Sequence, residues 1–130
     1  MWVGFDRRAK EDADATKETI EGYFGRLGAK NGWEAFLSED VAFTSFTSPI
    51  KSVNGRAAYL EATRRFFASI ATVEVRSLIV DGSRACALTR YRLQRPDGTT
   101  FDSDVAEVFG VRDGRISSLD IYFDSAPFPK

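Results

Sequence analysis

The chain has 130 residues, of which 43% are hydrophobic and 28% are charged, and its formal net charge is −1. A chain of this length forms one domain and buries about two-thirds of the surface that its unfolded form exposes. Lysine and arginine are scattered rather than gathered into a basic stripe, so we expect no nucleic-acid partner. No apolar run approaches the roughly 18 residues of a membrane span and no signal peptide is recognisable, so we expect a cytoplasmic protein with no membrane partner.

The first predicted element is a helix over residues 12–27, preceded by a loosely ordered lead-in over residues 1–9. Its large apolar residues recur three and four positions apart, as on one face of an amphipathic helix. These residues are Ile20, Tyr23, Phe24 and Leu27. Gly28 is expected to end the helix.

Four shorter elements are predicted next. A short helix begins at Asn31, a strand covers residues 41–46, and Pro49 opens a short extended return. A third helix begins at Asn54 or Gly55, and its broad apolar face is expected to pack on a sheet. The residues of that face are Tyr59, Leu60, Thr63, Phe66, Phe67 and Ile70.

The second half of the chain predicts four antiparallel strands. Three Asp-Gly pairs, at residues 81–82, 97–98 and 113–114, lie sixteen residues apart. Asp-Gly accepts the positive φ angles of a tight turn and is the strongest short-range signal for a hairpin. The predicted strands cover about residues 73–80, 84–95, 99–112 and 115–124. Helices followed by an antiparallel sheet that they cover make an α+β fold.

Two motifs carry a resemblance to a known family. Asn54-Gly55-Arg56 opens the third helix, and Asp113-Gly114-Arg115-Ile116 leads into a final strand that ends in Tyr-Phe-Asp at residues 122–124. With this order of elements, residues 14–128 resemble the SnoaL-like branch of the nuclear transport factor 2-like superfamily. The resemblance implies a cone-shaped α+β barrel, in which a curved antiparallel sheet wraps around the N-terminal helices and encloses one apolar pocket.

The resemblance leaves the function open. Ketosteroid isomerase, limonene epoxide hydrolase, polyketide cyclases and many non-enzymatic binding domains share this scaffold, and fold alone does not choose among them. It also implies a homodimer through the outer face of the sheet, where Asp120 and Tyr122 are candidate contacts because they alternate with the inward Leu119, Ile121 and Phe123.

Glu107 is the candidate functional residue with the sharpest signal. It alternates with Val105 and Phe109 on one face of a predicted strand, so a carboxylate is expected among inward-pointing apolar residues. A buried carboxylate either pairs with a cation or takes a raised pKa. A functional acid is therefore weighed against an ion pair with Arg90 or Arg92, or a bulge that turns the side chain to solvent.

The resemblance assigns roles to four positions. In the steroid isomerases, a protonated acid at the position that Glu107 matches, and a tyrosine near the position of Tyr23, hydrogen-bond a developing oxyanion. The base of those enzymes falls at Ser45, which cannot abstract a proton at neutral pH without a partner base. The acid of the epoxide hydrolases falls at Ile121. Both of those activities are therefore disfavoured.

The absence of histidine, together with a single cysteine, limits the remaining chemistry. Ser-His and Cys-His nucleophile pairs and His-rich metal sites are excluded, and we expect neither a metal nor a cofactor. The thiol of Cys86 lies in a strand-like run, where it is expected to act as a small buried hydrophobe. Asp102 and Asp104 share the face opposite to Glu107 and are expected in solvent.

The leading hypothesis is a pocket that binds a small hydrophobic carbonyl compound, with Glu107 as acid or hydrogen-bond donor, Tyr23 assisting, and isomerisation or cyclisation as the reaction. The alternative is a non-catalytic binding module or a dimeric interaction module, so whether the protein is an enzyme stays open. The predicted ligand contacts are Trp33, Phe46, Tyr59, Phe67, Arg90, Phe109 and Phe123.

Overall fold

The computed structural model describes residues 2–128, with side chains from residue 7 onward, as two α-helices, one 3-10 helix and six strands. Helix α1 spans Trp2–Ala29, the 3-10 helix spans Trp33–Phe36, and helix α2 spans Arg56–Ala68. The strands are β1 (Leu37–Ser45), β2 (Lys51–Asn54), β3 (Ile70–Asp81), β4 (Arg84–Gln94), β5 (Thr100–Arg112) and β6 (Arg115–Phe123). This arrangement confirms the predicted α+β class.

The six strands form one sheet in the order β2-β1-β6-β5-β4-β3. Every neighbouring pair is antiparallel except β1 and β6, which run parallel, so the sheet is mixed where a wholly antiparallel one was predicted. The parallel pair arises because the chain leaves β1 through β2 and α2, begins the meander with β3 at the opposite edge of the sheet, and ends it with β6 beside β1. Strands β2 and β3 are the two edges, so the sheet does not close into a barrel.

All three predicted hairpins form, but the Asp-Gly pairs occupy different turn positions. In one pair, Asp113-Gly114, both residues are the central residues of a two-residue loop. Their φ angles are positive, at 54° and 73°, as a type I′ turn requires. Between β3 and β4 the loop residues are Gly82 and Ser83, because Asp81 still pairs with Arg84. Between β4 and β5 the loop has five residues, 95–99, since Gln94 pairs with Thr100.

The helix boundaries differ from the predictions at both ends. Helix α1 already includes residues 2–9, where an irregular lead-in was expected, whereas residue 1 lies outside the described residues. Residues 7–12 are exposed, so this part of the helix has no apolar stripe that could have predicted it. After the 3-10 helix, Leu37 begins β1 rather than continuing a helix, and its side chain is fully buried.

The core lies between α1 and the inner face of the sheet. The predicted stripe of α1, from Ile20 to Leu27, is buried there together with Leu37, Val41 and Phe109. On β5, Ser103, Val105, Glu107 and Phe109 point inward, as period-2 alternation predicts. The residues between them, among them Asp102 and Asp104, point outward. Cys86 also lies on the outer face and is half-buried, so the prediction of a core thiol is wrong.

Candidate functional site

A cavity of about 330 Å³ lies between α2 and the inner face of the sheet. Most of its wall is aromatic or aliphatic, and Glu107 and Lys51 are the two charged residues among the described residues that line it. The aromatic residues of the lining are Phe43, Tyr59, Phe66, Phe67, Tyr91, Phe123 and Phe128. A mostly apolar wall with few polar groups is typical of a site for a small molecule.

Glu107 sits in this wall with only 4% of its surface exposed. Its carboxyl oxygen Oε2 accepts a hydrogen bond from Thr89 Oγ1 at 2.7 Å and another from the Tyr91 hydroxyl at 2.8 Å. Neither of the two arginines considered as partners reaches it: Arg90 pairs with Asp104 and Arg92 with Asp102 on the outer face. The carboxyl group is therefore buried without a cation.

The other oxygen of Glu107, Oε1, accepts no hydrogen bond from a described residue. Three side-chain oxygens of the described residues have no hydrogen-bond partner and are sealed from solvent, those of Tyr23, Ser38 and Ser103. Oε1 is not one of them. Since Glu107 lines the cavity, Oε1 is the oxygen that a bound molecule can reach. A proton on Oε1 would leave both existing hydrogen bonds to Oε2 intact.

Burial is the largest influence on the acidity of this group. Desolvation raises the pKa of Glu107 from 4.5 to about 7, while the hydrogen bonds from Thr89 and Tyr91 oppose the rise. Near neutral pH the side chain is thus present both as an acid and as a carboxylate. A group with this pKa can donate or accept a proton at physiological pH.

Tyr23 does not take the position that the sequence suggested. It is fully buried and packs edge-on against Phe24, Trp33 and Phe109, but its hydroxyl has no hydrogen-bond partner among the described residues and it does not line the cavity. The phenol that bonds Glu107 is Tyr91 instead. Tyr91 was not among the residues predicted from the sequence, although its place on the inner face of β4, two residues from Thr89, could have indicated it.

Three of the seven predicted ligand contacts line the cavity: Tyr59, Phe67 and Phe123. The hydroxyl of Tyr59 makes no hydrogen bond to a described residue, which leaves it free to bind a ligand. Trp33 lies behind the cavity wall and stacks on Phe67 with ring centroids 4.2 Å apart. Phe67 therefore separates Trp33 from the cavity.

The remaining predicted contacts lie elsewhere. Phe109 is fully buried in the core, where it touches the rings of Tyr23 and Phe24. Phe46 is exposed and stacks on Tyr122 outside the cavity. Arg90 is on the outer face of β4, paired with Asp104, because its neighbours in the strand take the inward positions.

Both positions at which the resemblance predicts a lost acid or base are in the cavity wall. Ser45 and Ile121 are cross-strand partners on β1 and β6, and Ile121 is in turn opposite Glu107 on β5. Neither side chain titrates, so Glu107 is the one carboxylate in the described lining. Among the side chains that the structure describes, from residue 7 to residue 128, no cluster of His, Cys, Asp or Glu could hold a metal ion. None of the described helices is long and apolar enough to span a membrane.

Comparison with known proteins identifies similar domains. The SnoaL-like domain family matches residues 20–119, whereas no curated protein matches the sequence. A proposed SnoaL-like polyketide cyclase from Jannaschia sp. CCS1 is 17% identical, with a TM-score of 0.73 over 86% of this chain and 87% of that one. A proposed ketosteroid isomerase from Kribbella flavida DSM 17836 is 24% identical, with a TM-score of 0.68 over 92% and 84% of the two chains.

A nuclear transport factor 2-like protein of unknown function from Burkholderia pseudomallei K96243 is 20% identical and has a TM-score of 0.74, over 87% of this chain and 93% of that one. At these identities, the structural likeness shows a shared fold and leaves the chemistry of each cavity to its own residues.

Proposed function

Because the chain belongs to the SnoaL-like domain family, with residues 20–119 matching it, we propose that its cavity binds a small hydrophobic carbonyl compound. We propose further that Glu107 donates a hydrogen bond, and then a proton, to the carbonyl oxygen. The observation that carries this proposal is a carboxyl group in an apolar wall that has no cation partner and keeps one oxygen free. A neutral carboxylic acid in an apolar site is a strong donor to a developing oxyanion.

The surrounding hydroxyls support this role. Thr89 and Tyr91 both bond Oε2, so they fix the orientation of the carboxyl group and favour the proton on Oε1. Once Oε1 has given its proton to the carbonyl oxygen, the carboxylate that remains keeps two hydrogen-bond donors. Tyr59 lines the same cavity and offers a second hydroxyl to the ligand oxygen.

The cavity wall offers one carboxyl group for the proposed reaction, because Ser45 and Ile121 stand at the other two positions of interest. After Glu107 has given its proton to the carbonyl oxygen, its carboxylate takes up the proton that leaves the α-carbon. Its pKa of about 7 allows either direction near neutral pH. Enolisation of a ketone, the common step of carbonyl isomerisation and of many cyclisations, meets this requirement.

Exchange of ketone hydrogens tests the proposal. 2-Acetylnaphthalene is apolar, fluorescent and carries exchangeable methyl hydrogens beside its carbonyl. We expect the wild-type protein to bind it and to accelerate exchange of those hydrogens in D₂O, followed by proton NMR. Glu107→Gln should bind the compound and lose the acceleration, whereas the control Asp104→Asn, on the outer face, should keep it. Equal exchange rates for Glu107→Gln and the wild type would contradict the assignment of Glu107.

A non-catalytic binding module is the second candidate function. The observation in its favour is that neither Ser45 nor Ile121 can serve as a base or an acid in the cavity. On this alternative, the wild type binds 2-acetylnaphthalene but the exchange rate equals that of the buffer. Ligand affinity in the absence of exchange would therefore decide for the binding module.

We also propose that the protein is a homodimer, with a second copy covering the outer face of the sheet. Ile79, Leu88 and Tyr122 are large hydrophobic residues that the single chain leaves exposed on that face. Sedimentation equilibrium should give a dimer for the wild type and a monomer for Leu88→Glu, with 2-acetylnaphthalene binding retained in both. A wild-type monomer at all concentrations would contradict the proposal.

A further inference from the structure

The cavity wall contains a second buried polar group, which the proposed proton transfer does not use. Ser103 lies on the inner face of β5, is 3% exposed and lines the cavity. Its hydroxyl has no hydrogen-bond partner among the described residues. Buried hydroxyls in native proteins nearly always have a partner, because leaving one without a hydrogen bond is unfavourable. The hydroxyl oxygen is sealed from solvent in its present rotamer, so a bound molecule supplies the missing partner once rotation about χ1 turns the hydroxyl toward the cavity that Ser103 lines.

The position of Ser103 relative to Glu107 is set by the strand. The two residues share one face of β5 with Val105 between them, and all three line the cavity. Four residues of extended strand place their Cα atoms about 13 Å apart. Ser103 is directly opposite Tyr91, whose ring reaches from there to the carboxyl group of Glu107. The apolar wall between the two polar groups is therefore long enough for a two-ring or three-ring skeleton.

We propose that the ligand carries two oxygens at opposite ends of an apolar skeleton, with its carbonyl at Glu107 and a second hydroxyl or carbonyl oxygen at Ser103. This inference rests on the proposed function, since the proposed carbonyl contact fixes the orientation of the ligand. A serine hydroxyl both donates and accepts, so it suits a neutral oxygen of either type. The one cation of the described lining, Lys51, is on the edge strand β2, which lies three strands from β5 in the sheet.

A matched pair of ligands tests the inference. 6-Acetyl-2-naphthol differs from 2-acetylnaphthalene by one hydroxyl at the far end of the ring system, and both bind with a measurable change of fluorescence if the cavity accepts them. We expect the wild type to prefer the naphthol by roughly 2- to 10-fold, which is the range that one hydrogen bond contributes to an equilibrium constant.

Substitution of Ser103 should remove this preference selectively. Ser103→Ala should bind both compounds with the affinity that the wild type has for 2-acetylnaphthalene, and Ser103→Thr, which keeps the hydroxyl, should restore the preference. Binding of 2-acetylnaphthalene to each variant shows that its cavity is intact. The control Ser77→Ala removes an exposed hydroxyl from β3 and should behave as the wild type.

The failure of this inference can be told apart from the failure of the proposed function. If the wild type binds both compounds equally, or Ser103→Ala keeps the preference, Ser103 makes no ligand contact and the inference is overturned while the cavity remains a ligand site. If the wild type binds neither compound, the proposed function is overturned together with the inference.

Discussion

The two faces of strand β5 carry the same chemical group in opposite environments. On the outer face, the carboxylate of Asp104 accepts two hydrogen bonds from Arg90, at 2.7 and 2.9 Å, and Asp102 accepts one from Arg92 at 3.2 Å. On the inner face, three residues further along, Glu107 has two hydroxyl donors and no cation. Alternation along one strand thus separates paired, solvated carboxylates from an unpaired, buried one.

The difference sets what each carboxyl group can do. The hydrogen bond from Arg90 lowers the pKa of Asp104, which therefore stays charged and holds two strands together. Desolvation raises the pKa of Glu107 to about 7, so that group can carry and release a proton near neutral pH. Solvent access and the nearest partner decide between a structural and a chemical role, because the carboxyl group itself is the same.

The largest expected effect is a difference in stability between variants of apolar residues on the two faces of the sheet. Phe109→Ala removes a fully buried ring that packs on Tyr23 and Phe24, and should lower the free energy of unfolding by about 3–5 kcal/mol. Leu88→Ala, on the outer face, should lower it by less than about 1 kcal/mol in the monomer. Urea unfolding of the two variants, at a protein concentration where sedimentation shows a monomer, gives both values. A comparable loss for Leu88→Ala under those conditions would contradict the difference between the two faces.

The next effect is a pH dependence that arises from Glu107 alone. This group ionises near pH 4.5 when unfolded and near pH 7 when folded, so between these values the unfolded chain holds fewer protons. Its contribution to stability is complete below about pH 4.5, falls by about 3 kcal/mol as the pH rises to 7, and is constant above that. Urea unfolding at pH 5 and pH 8 measures the difference.

Two substitutions test whether this change of the free energy of unfolding with pH comes from the inner face of the sheet. Glu107→Gln removes the titrating group and should abolish the slope between pH 5 and pH 8. Asp104→Asn should leave it unchanged, because the pKa of Asp104 is lowered from 3.8 and so lies below this window. If Glu107→Gln keeps the full slope, the buried acid is not its origin.

The third effect compares two buried tyrosines. Tyr91→Phe removes a hydroxyl that bonds Glu107, so it should lower the free energy of unfolding by about 1–2 kcal/mol and raise the pKa of Glu107 further. Tyr23→Phe removes a buried hydroxyl without a partner, so it should be neutral or raise the free energy by about 1 kcal/mol. Carboxyl ¹³C NMR and urea unfolding measure the two quantities, and equal losses would contradict the assignment of Tyr91 as the partner.

The inward position of Glu107 could be predicted because it follows from strand periodicity alone. The position of its partners could not, since Thr89 and Tyr91 come from another strand and their reach depends on register. A two-residue turn at Asp97-Gly98 would pair Pro96 with Thr99 and place Glu107 opposite the outward Leu88. The five-residue loop places it opposite the inward Ala87 instead. A shift of one residue in the register between β4 and β5 therefore decides which residue of β4 lies opposite Glu107.

The positions of Tyr23 and Arg90 outside the described cavity lining could not be predicted, for a related reason. Helical periodicity correctly puts Tyr23 on the buried face of α1, but it does not say how deep the side chain lies relative to a cavity. The side chains of β4 alternate between the inner and outer faces. Because Thr89 and Tyr91 point inward, Arg90 between them points outward, away from the cavity. The parallel pairing of β1 with β6 joins two strands that lie far apart in the chain, so no local pattern in the sequence predicts it.

The smallest expected effect concerns the outer ion pairs. Arg90→Gln should lower stability only slightly, with a difference from the wild type that disappears at high salt, because the pair with Asp104 is solvent-exposed. It should leave the affinity for 2-acetylnaphthalene unchanged, since Arg90 lies across the sheet from the cavity. The matched variant Phe123→Ala removes a ring of the cavity wall and should weaken binding. If Arg90→Gln weakened binding as much as Phe123→Ala, the two faces of the sheet would not be independent, and the ligand site could not be assigned to the inner face alone.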